Sequence, residues 1–398
     1  MEVFVMKKLA AALLATTLMT APALAEDVKI GIILGFTGPI ESLTPDMAAG
    51  AELAIKEVAD AGGVVGGGAV EAVRGDSTCT DAAAAQAAAE RLISSDGVKG
   101  IMGADCSGVT TAILNNVAKA NGMVMISPSA TSPALSTIED DGYFFRTSPS
   151  DARQGEIVAD ILKEKGVNSI AISYTNNDYG KGLSESIKTN FEKQGGTVTI
   201  VSAHEDGKGD YSAEVGELAQ AGGDVLVVAG YTDQGGKGII QGALDTGAFS
   251  TFYLPDGMIG DALPTAIGDG LNGSYGANPG TDSEGAAKFG EMITAAGAKA
   301  GPFAPESYDA AALLLLAMEA AKSTDPKVYK DSVEAVANAP GEKIFPGELA
   351  KALEIIRGGG DVDYVGASDV ELIGPGESAG SYREIEVKDG KIEAVKYR

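Results

Sequence analysis

Short, nearly continuous apolar runs alternate with amphipathic or Ala-rich stretches, and the alternation runs twice along the chain. In the first pass the runs are Val28–Leu34, Ala69–Val73, Gly100–Met102 and Val124–Ile126. Helix-like stretches lie between them at Pro45–Ala61, Asp81–Ile93 and Thr110–Ala120. Strands apolar on both faces are buried on both faces, so this rhythm predicts a parallel sheet covered by helices. The rhythm restarts after Arg146-Thr147-Ser148-Pro149, with strands predicted at Ser169–Tyr174, Thr197–Val201, Val225–Ala229 and Thr251–Leu254. Helices are predicted at Asp151–Lys165, Lys181–Gln194, Ser212–Ala221 and Gly235–Thr246. The expected fold class is α/β with two sheets of similar size, which suits a chain of 398 residues.

The last stretch, from Asn278 onward, is left to be shared between the two units. It opens with a predicted helix over Glu306–Lys322, whose Ala310–Ala317 run is too short to span a bilayer and reads as buried. Weaker helices are expected at Asp331–Ala339 and Gly347–Ile356. Tyr382–Val387 and Lys391–Val395, joined through Lys388-Asp389-Gly390, read as a hairpin with an Asp-Gly turn.

The charge balance excludes partners. Thirty Lys and Arg against 56 Asp and Glu give −26, so a nucleic-acid partner, which needs a basic face, is not expected. A single histidine, His204, leaves no multi-His metal site and almost no material for His-based acid–base catalysis, and it is expected at the surface beside Glu205 and Asp206. No Walker lysine motif, strand-borne dinucleotide fingerprint or Gly-x-Ser-x-Gly elbow is present, and the Gly62–Gly68 cluster follows a helix rather than a strand. No cofactor, no metal and no enzymatic activity are expected.

Lys7-Lys8, an apolar stretch over Leu9–Ala21 and the small-residue closure Ala23-Leu24-Ala25 make a cleavable secretory signal, residues 1–25, with the mature chain starting near Glu26. The expected location is the periplasm, without membrane insertion. In an oxidising compartment the only two cysteines, Cys79 and Cys106, are expected to form a disulfide.

Ligands in open α/β sheets sit beyond the carboxyl ends of the strands. Beyond Gly100–Met102 lie Asp105-Cys106-Ser107-Gly108, and beyond Val124–Ile126 lie Ser127-Pro128-Ser129-Ala130-Thr131-Ser132-Pro133. Hydroxyls and backbone N–H groups at a helix start suit a carboxylate, and they serve equally as ordinary caps and turns. Beyond the second set of strands, Tyr179 falls near a helix start, while Tyr231 and Asp256 suit an ammonium, or are an exposed Tyr and a turn Asp.

In order and spacing these segments resemble the periplasmic leucine/isoleucine/valine-binding protein family, the substrate-binding subunits of branched-chain amino acid ABC transporters. The resemblance runs from Ile30-Gly31 and Thr37-Gly38-Pro39 through Cys79-Thr80-Asp81, Cys106-Ser107, Ile126–Pro133 and Phe145-Arg146-Thr147. It continues through Tyr179-Gly180-Lys181-Gly182 to Ser307-Tyr308-Asp309-Ala310. It implies a type I periplasmic binding protein: two doubly wound parallel-sheet lobes joined by a three-segment hinge, with crossings near Arg146–Pro149, Tyr275–Asn278 and Gly380. Lobe one is then 26–146 plus 280–379, and lobe two 147–279 plus 380–398.

By position, Ser107, Ser129, Ala130 and Thr131 match the family's contacts to the ligand's carboxylate and ammonium. Tyr231 and Asp256 match its ammonium contacts, although the family commonly carries Glu where Asp256 stands. Cys79 and Cys106 match its disulfide. Tyr179 and Phe303 are expected beside the ligand side chain, as is Leu43, where leucine binders often carry an aromatic residue. Glu41 either faces the cleft, calling for a polar or cationic ligand, or sits on the wet rim. The resemblance implies a monomer that closes on a branched-chain or related amino acid and docks on a membrane permease. Alternatives are another small solute (an amide, urea, an aromatic acid or a γ-amino acid), a sensory binding module, or an exported α/β enzyme.

Overall fold

A computed structural model describes residues 27–398. The expected signal peptide lies outside the described residues.

The first sheet is built from β1 (Val28–Leu34), β2 (Val70–Asp76), β3 (Gly100–Gly103), β4 (Met125–Ser127) and β5 (Phe144–Arg146), all parallel. The second repeats the plan with β6 (Ser169–Thr175), β7 (Thr197–His204), β8 (Val225–Ala229), β9 (Phe252–Leu254) and β10 (Tyr275–Pro279). A small parallel pair, β11 (Glu342–Ile344) and β12 (Val362–Tyr364), stands apart. The short strands β13 (Leu372–Ile373) and β14 (Glu377–Ser378) then return to the edge of the first sheet, while β15 (Tyr382–Lys388) and β16 (Lys391–Tyr397) add antiparallel to the second. The orders are β13-β14-β5-β4-β3-β1-β2 and β16-β15-β10-β9-β8-β6-β7. The chain therefore passes between the sheets three times: after β5, after β10 and between β14 and β15.

Burial explains the elements. All of β1 except Lys29 is buried, as is all of β8, which is why both read as uninterrupted apolar runs. The helix Ala304–Ala321 is buried from Ser307 through Glu319, and Leu313–Leu316 contribute on the order of 2 kcal/mol each on burial. It packs on Thr44–Asp60, and the approach is so close that a Cβ on Gly50 would stand 2.3 Å from the carbonyl oxygen of Ala304. The hairpin turn is as expected: Asp389 and Gly390 have φ of 50° and 70°, a mirror-image turn that continues the strand twist.

Two expectations need correction. His204 is buried, 1% exposed, at the end of β7, with Nδ1 2.8 Å from Ser173 Oγ, and burial lowers its pKa to about 4. Two helices begin three residues early, at Ser107 and Asp178, and this brings Ser107 and Tyr179 into first turns beside the inter-sheet cleft.

Candidate functional site

Each sheet reverses its winding beside its first strand: β1 lies between β2 and β3, and β6 between β7 and β8. Loops leaving neighbouring strands at such a point diverge and leave a crevice at the carboxyl ends. The two crevices face each other, and the side chains between them come from loops after β1, β3, β4, β6, β8 and β9, with Phe303 added from the start of the helix Ala304–Ala321.

On the first side, Asp105 follows β3. Its carboxylate accepts from Gly35 N at 2.6 Å, Cys106 N at 3.0 Å and Ser77 Oγ at 3.1 Å, while complete burial raises its pKa to about 6. Cys106 is bonded to Cys79 with the Cα atoms 5.2 Å apart, and closing this 27-residue separation stabilises the loop by roughly 3–4 kcal/mol in the chain-entropy model. Ser107 opens a helix (Ser107–Ile113) that passes through a π turn (Leu114–Ala118) into Lys119–Asn121. Its Oγ accepts from Ser132 N at 3.1 Å, so its own O–H stays free to donate. Ser129 is the reverse, since its Oγ donates to Asp105 O at 3.0 Å and keeps only acceptor capacity. Buried Arg146 holds this loop from behind, donating through Nη1 to the carbonyls of Ala130 and Ser132, both at 2.9 Å, and through Nη2 to Glu377.

On the second side, Asn177 caps the helix Asp178–Lys193 by accepting from Gly180 N at 3.0 Å, which sets Tyr179 in the first turn. The Tyr179 ring stacks on Tyr231 with centroids 5.3 Å apart and 17° between planes. Tyr179 Oη donates to Asp256 Oδ1 at 2.6 Å and accepts from Gly257 N at 3.2 Å. Tyr231 Oη accepts from Asn177 Nδ2 at 3.1 Å, which leaves its O–H free. Asp256 is 1% exposed; burial raises its pKa, and its carboxylate's hydrogen-bond partners, Tyr179 Oη and the main chain of Gly257, include no cation. Behind it lies buried Asp151, whose pKa is raised well above the usual range by burial and by the Asp256 charge. Gln154 joins the two, donating to Asp151 Oδ1 at 3.2 Å and accepting from Asp256 N at 3.2 Å.

Of the residues singled out in the sequence, Leu43, Ser107, Ser129, Tyr179, Tyr231, Asp256 and Phe303 line one cavity between the two halves, together with Ile40, Asp105, Cys106 and Gly257. Its free volume is about 20 Å³, close to that of one water. Ala130, Thr131 and Glu41 do not line it. Ala130 and Thr131 are fully buried behind the wall, Ala130 engaged by Arg146, whereas Glu41 is exposed. Sequence reasoning placed Asp105 in the loop beyond β3 without giving it a role, and it passed over Ile40, which carries no motif, and Gly257, where a Cβ would stand 2.6 Å from Gly230 O and 2.9 Å from Tyr179 Oη.

The halves touch over the cavity. Asp233 N donates to Pro39 O at 3.0 Å, Ser42 N donates to Asp233 Oδ2 at 2.8 Å, and Lys299 Nζ lies 2.8 Å from Asp261 Oδ2. Among the described residues no cluster of three His, Cys, Asp or Glu side chains can hold a metal ion, and no helix is long and apolar enough to cross a membrane.

The profile of a family described as periplasmic binding protein matches residues 27–349. A Leu/Ile/Val-binding protein homolog of Brucella melitensis is 29% identical over 325 residues, 80% of this chain and 86% of that one. A leucine-binding protein of Thermotoga maritima superposes with a TM-score of 0.78 at 23% identity, covering 93% of this chain and 98% of that one. A solute-binding protein of Rhodopseudomonas palustris in complex with p-hydroxybenzoic acid gives 0.76 at 19%, covering 94% and 97%. At these identities the structural likenesses speak to the fold.

Proposed function

Because the chain belongs to the periplasmic binding protein family, in its leucine/isoleucine/valine-binding branch, we propose that it captures a free amino acid with an apolar side chain by lobe closure and delivers it to an ABC transporter permease. It is a solute-binding protein of the branched-chain amino acid transporter type. The lobes of the proposal are residues 26–146 with 280–379, and 147–279 with 380–398.

The observation that carries the reading is Asp256: a buried carboxylate with no cation against it, facing free donors across a narrow cleft. A buried charge without a partner is costly, and a ligand ammonium would supply one. The free O–H groups of Ser107 and Tyr231, with the helix start at Ser107, suit the α-carboxylate, and the acceptor oxygen of Ser129 suits the ammonium. Tyr231 thus belongs with the carboxylate rather than the ammonium. Ile40, Leu43 and Phe303 offer an apolar wall, and exposed Glu41 removes the reason to expect a cationic ligand side chain.

Aromatic acids, bound by some structural neighbours, bring no ammonium and would leave Asp256 buried without a cation. The lobes as they stand leave too little room for an amino acid side chain, so capture starts from a more open state and the ligand favours a closure wider than this one, in which both lobes touch it. No bond is made or broken. A thermal-shift screen of the refolded, ligand-stripped protein tests the reading. Leucine, isoleucine or valine at about 100 times its dissociation constant adds about 2.7 kcal/mol, a rise of several degrees. A response confined to p-hydroxybenzoate or urea would overturn it.

A further inference from the structure

A second, larger cavity of about 380 Å³ lies behind Phe303, which lines both. Its walls come from both sheets' neighbourhoods: Asn278 and Pro279 at one crossing, Glu306 and Phe289 from helices, and Arg383 from β15 just past another crossing. The main chain of Glu306 also accepts from Thr147 Oγ1 at 2.8 Å, which ties the cavity to the remaining crossing.

Glu306 is 2% exposed, and its Oε2 has no hydrogen-bond partner. Opposite it, the Arg383 guanidinium spends both of its described hydrogen bonds, at 3.3 and 3.2 Å, on one acceptor, Asn278 Oδ1. The two groups feel each other's charge, yet they form no ion pair among the described residues. A buried polar atom without a partner is rare in a folded protein and calls for an explanation. Here an acid and a guanidinium line one space of mixed polar and apolar walls without pairing with each other.

We propose that this rear cavity is a second small-molecule site, taking a small zwitterion with its ammonium toward Glu306 and its carboxylate toward Arg383, and that its occupancy biases lobe closure. The acid is held in reserve: burial raises the Glu306 pKa to about 8, and an arriving ammonium would draw it into its ionised form. Because the walls include one crossing at Asn278 and Pro279, adjoin a second at Arg383 and are hydrogen-bonded to the third through Thr147, a change of lobe angle reshapes the cavity. A ligand seated there therefore favours one angle over the other.

The test is equilibrium dialysis of the whole mature protein with radiolabelled L-alanine at millimolar concentration, counting molecules bound per chain. Ala286 lines the cavity from a half-exposed helix position, so Ala286→Phe fills the space without disturbing the core. Ala286→Phe and Arg383→Gln are each expected to lower the count by one, while Asp256→Ala, which strips the cleft, leaves that molecule bound. Identical counts in wild type and Ala286→Phe overturn the second site. A wild-type count of one that falls to zero in both Asp256→Ala and Ala286→Phe overturns it too, since both would then act on one site. Failure of the cleft reading is separate: it is an unchanged count in Asp256→Ala.

Discussion

The phenol of Tyr179 donates to Asp256 Oδ1 at 2.6 Å, and its oxygen accepts from the N–H of Gly257, the residue after that aspartate. One hydroxyl thereby orients the buried carboxylate and the turn that carries it. The stack on Tyr231 fixes the ring in turn.

Tyr179→Phe should keep the fold, since the ring stays, and should weaken ligand binding by about 1.5–3 kcal/mol, the usual worth of a hydrogen bond to a charged group. Calorimetric titration measures it. Unchanged affinity would mean that the carboxylate needs no such guide.

Asp233 clasps the loop after β1 from the opposite side of the cleft. Asp233→Ala removes its side-chain bond to Ser42 N and keeps the main-chain bond to Pro39. The expected loss is about 1 kcal/mol, roughly fivefold in affinity, carried by faster ligand release. Stopped-flow release rates equal to wild type would show that this clasp does not hold the closed form.

The buried imidazole of His204 has its pKa lowered from 6.5 to about 4, chiefly by desolvation. Between those values the unfolded chain binds the proton and the folded chain does not. This group's contribution is therefore intact above pH 6.5 and is lost as pH falls toward 4, on the order of 3 kcal/mol across the window. His204→Gln should flatten the acid side of a melting-temperature profile. Buried Asp105 and Asp309, both raised to about 6, have the opposite sign and remain in the variant, so the difference between the two profiles isolates the histidine.

What the sequence disclosed follows from how each element earns its burial. Val28–Leu34, Val225–Ala229, Ser212–Ala221 and Gly235–Thr246 were legible because one period dominates each segment. The strands Phe144–Arg146 and Tyr275–Pro279 escaped periodicity: one is three residues ending in a buried Arg, and the other carries Gly, Asn and Pro. His204 misled because its neighbours Glu205 and Asp206 look solvated, while the loop that covers it comes from Gly230 and Gly235, distant in sequence. The cleft residues on strand ends, Asp105 among them, were visible from strand–helix alternation, but Ile40 and the role of Asp105 were not, since only the opposed halves bring them to one cavity.

The most direct test of the account is a calorimetric comparison of leucine with isocaproate, which lacks the ammonium, and isoamylamine, which lacks the carboxylate. Asp256 on one side and the donors of Ser107 and Tyr231 on the other require both charges. Leucine should bind, and each truncated analogue should bind at least about a hundredfold more weakly, near 2.7 kcal/mol. Isocaproate binding as tightly as leucine would contradict the role given to Asp256 and, with it, the capture of an amino acid.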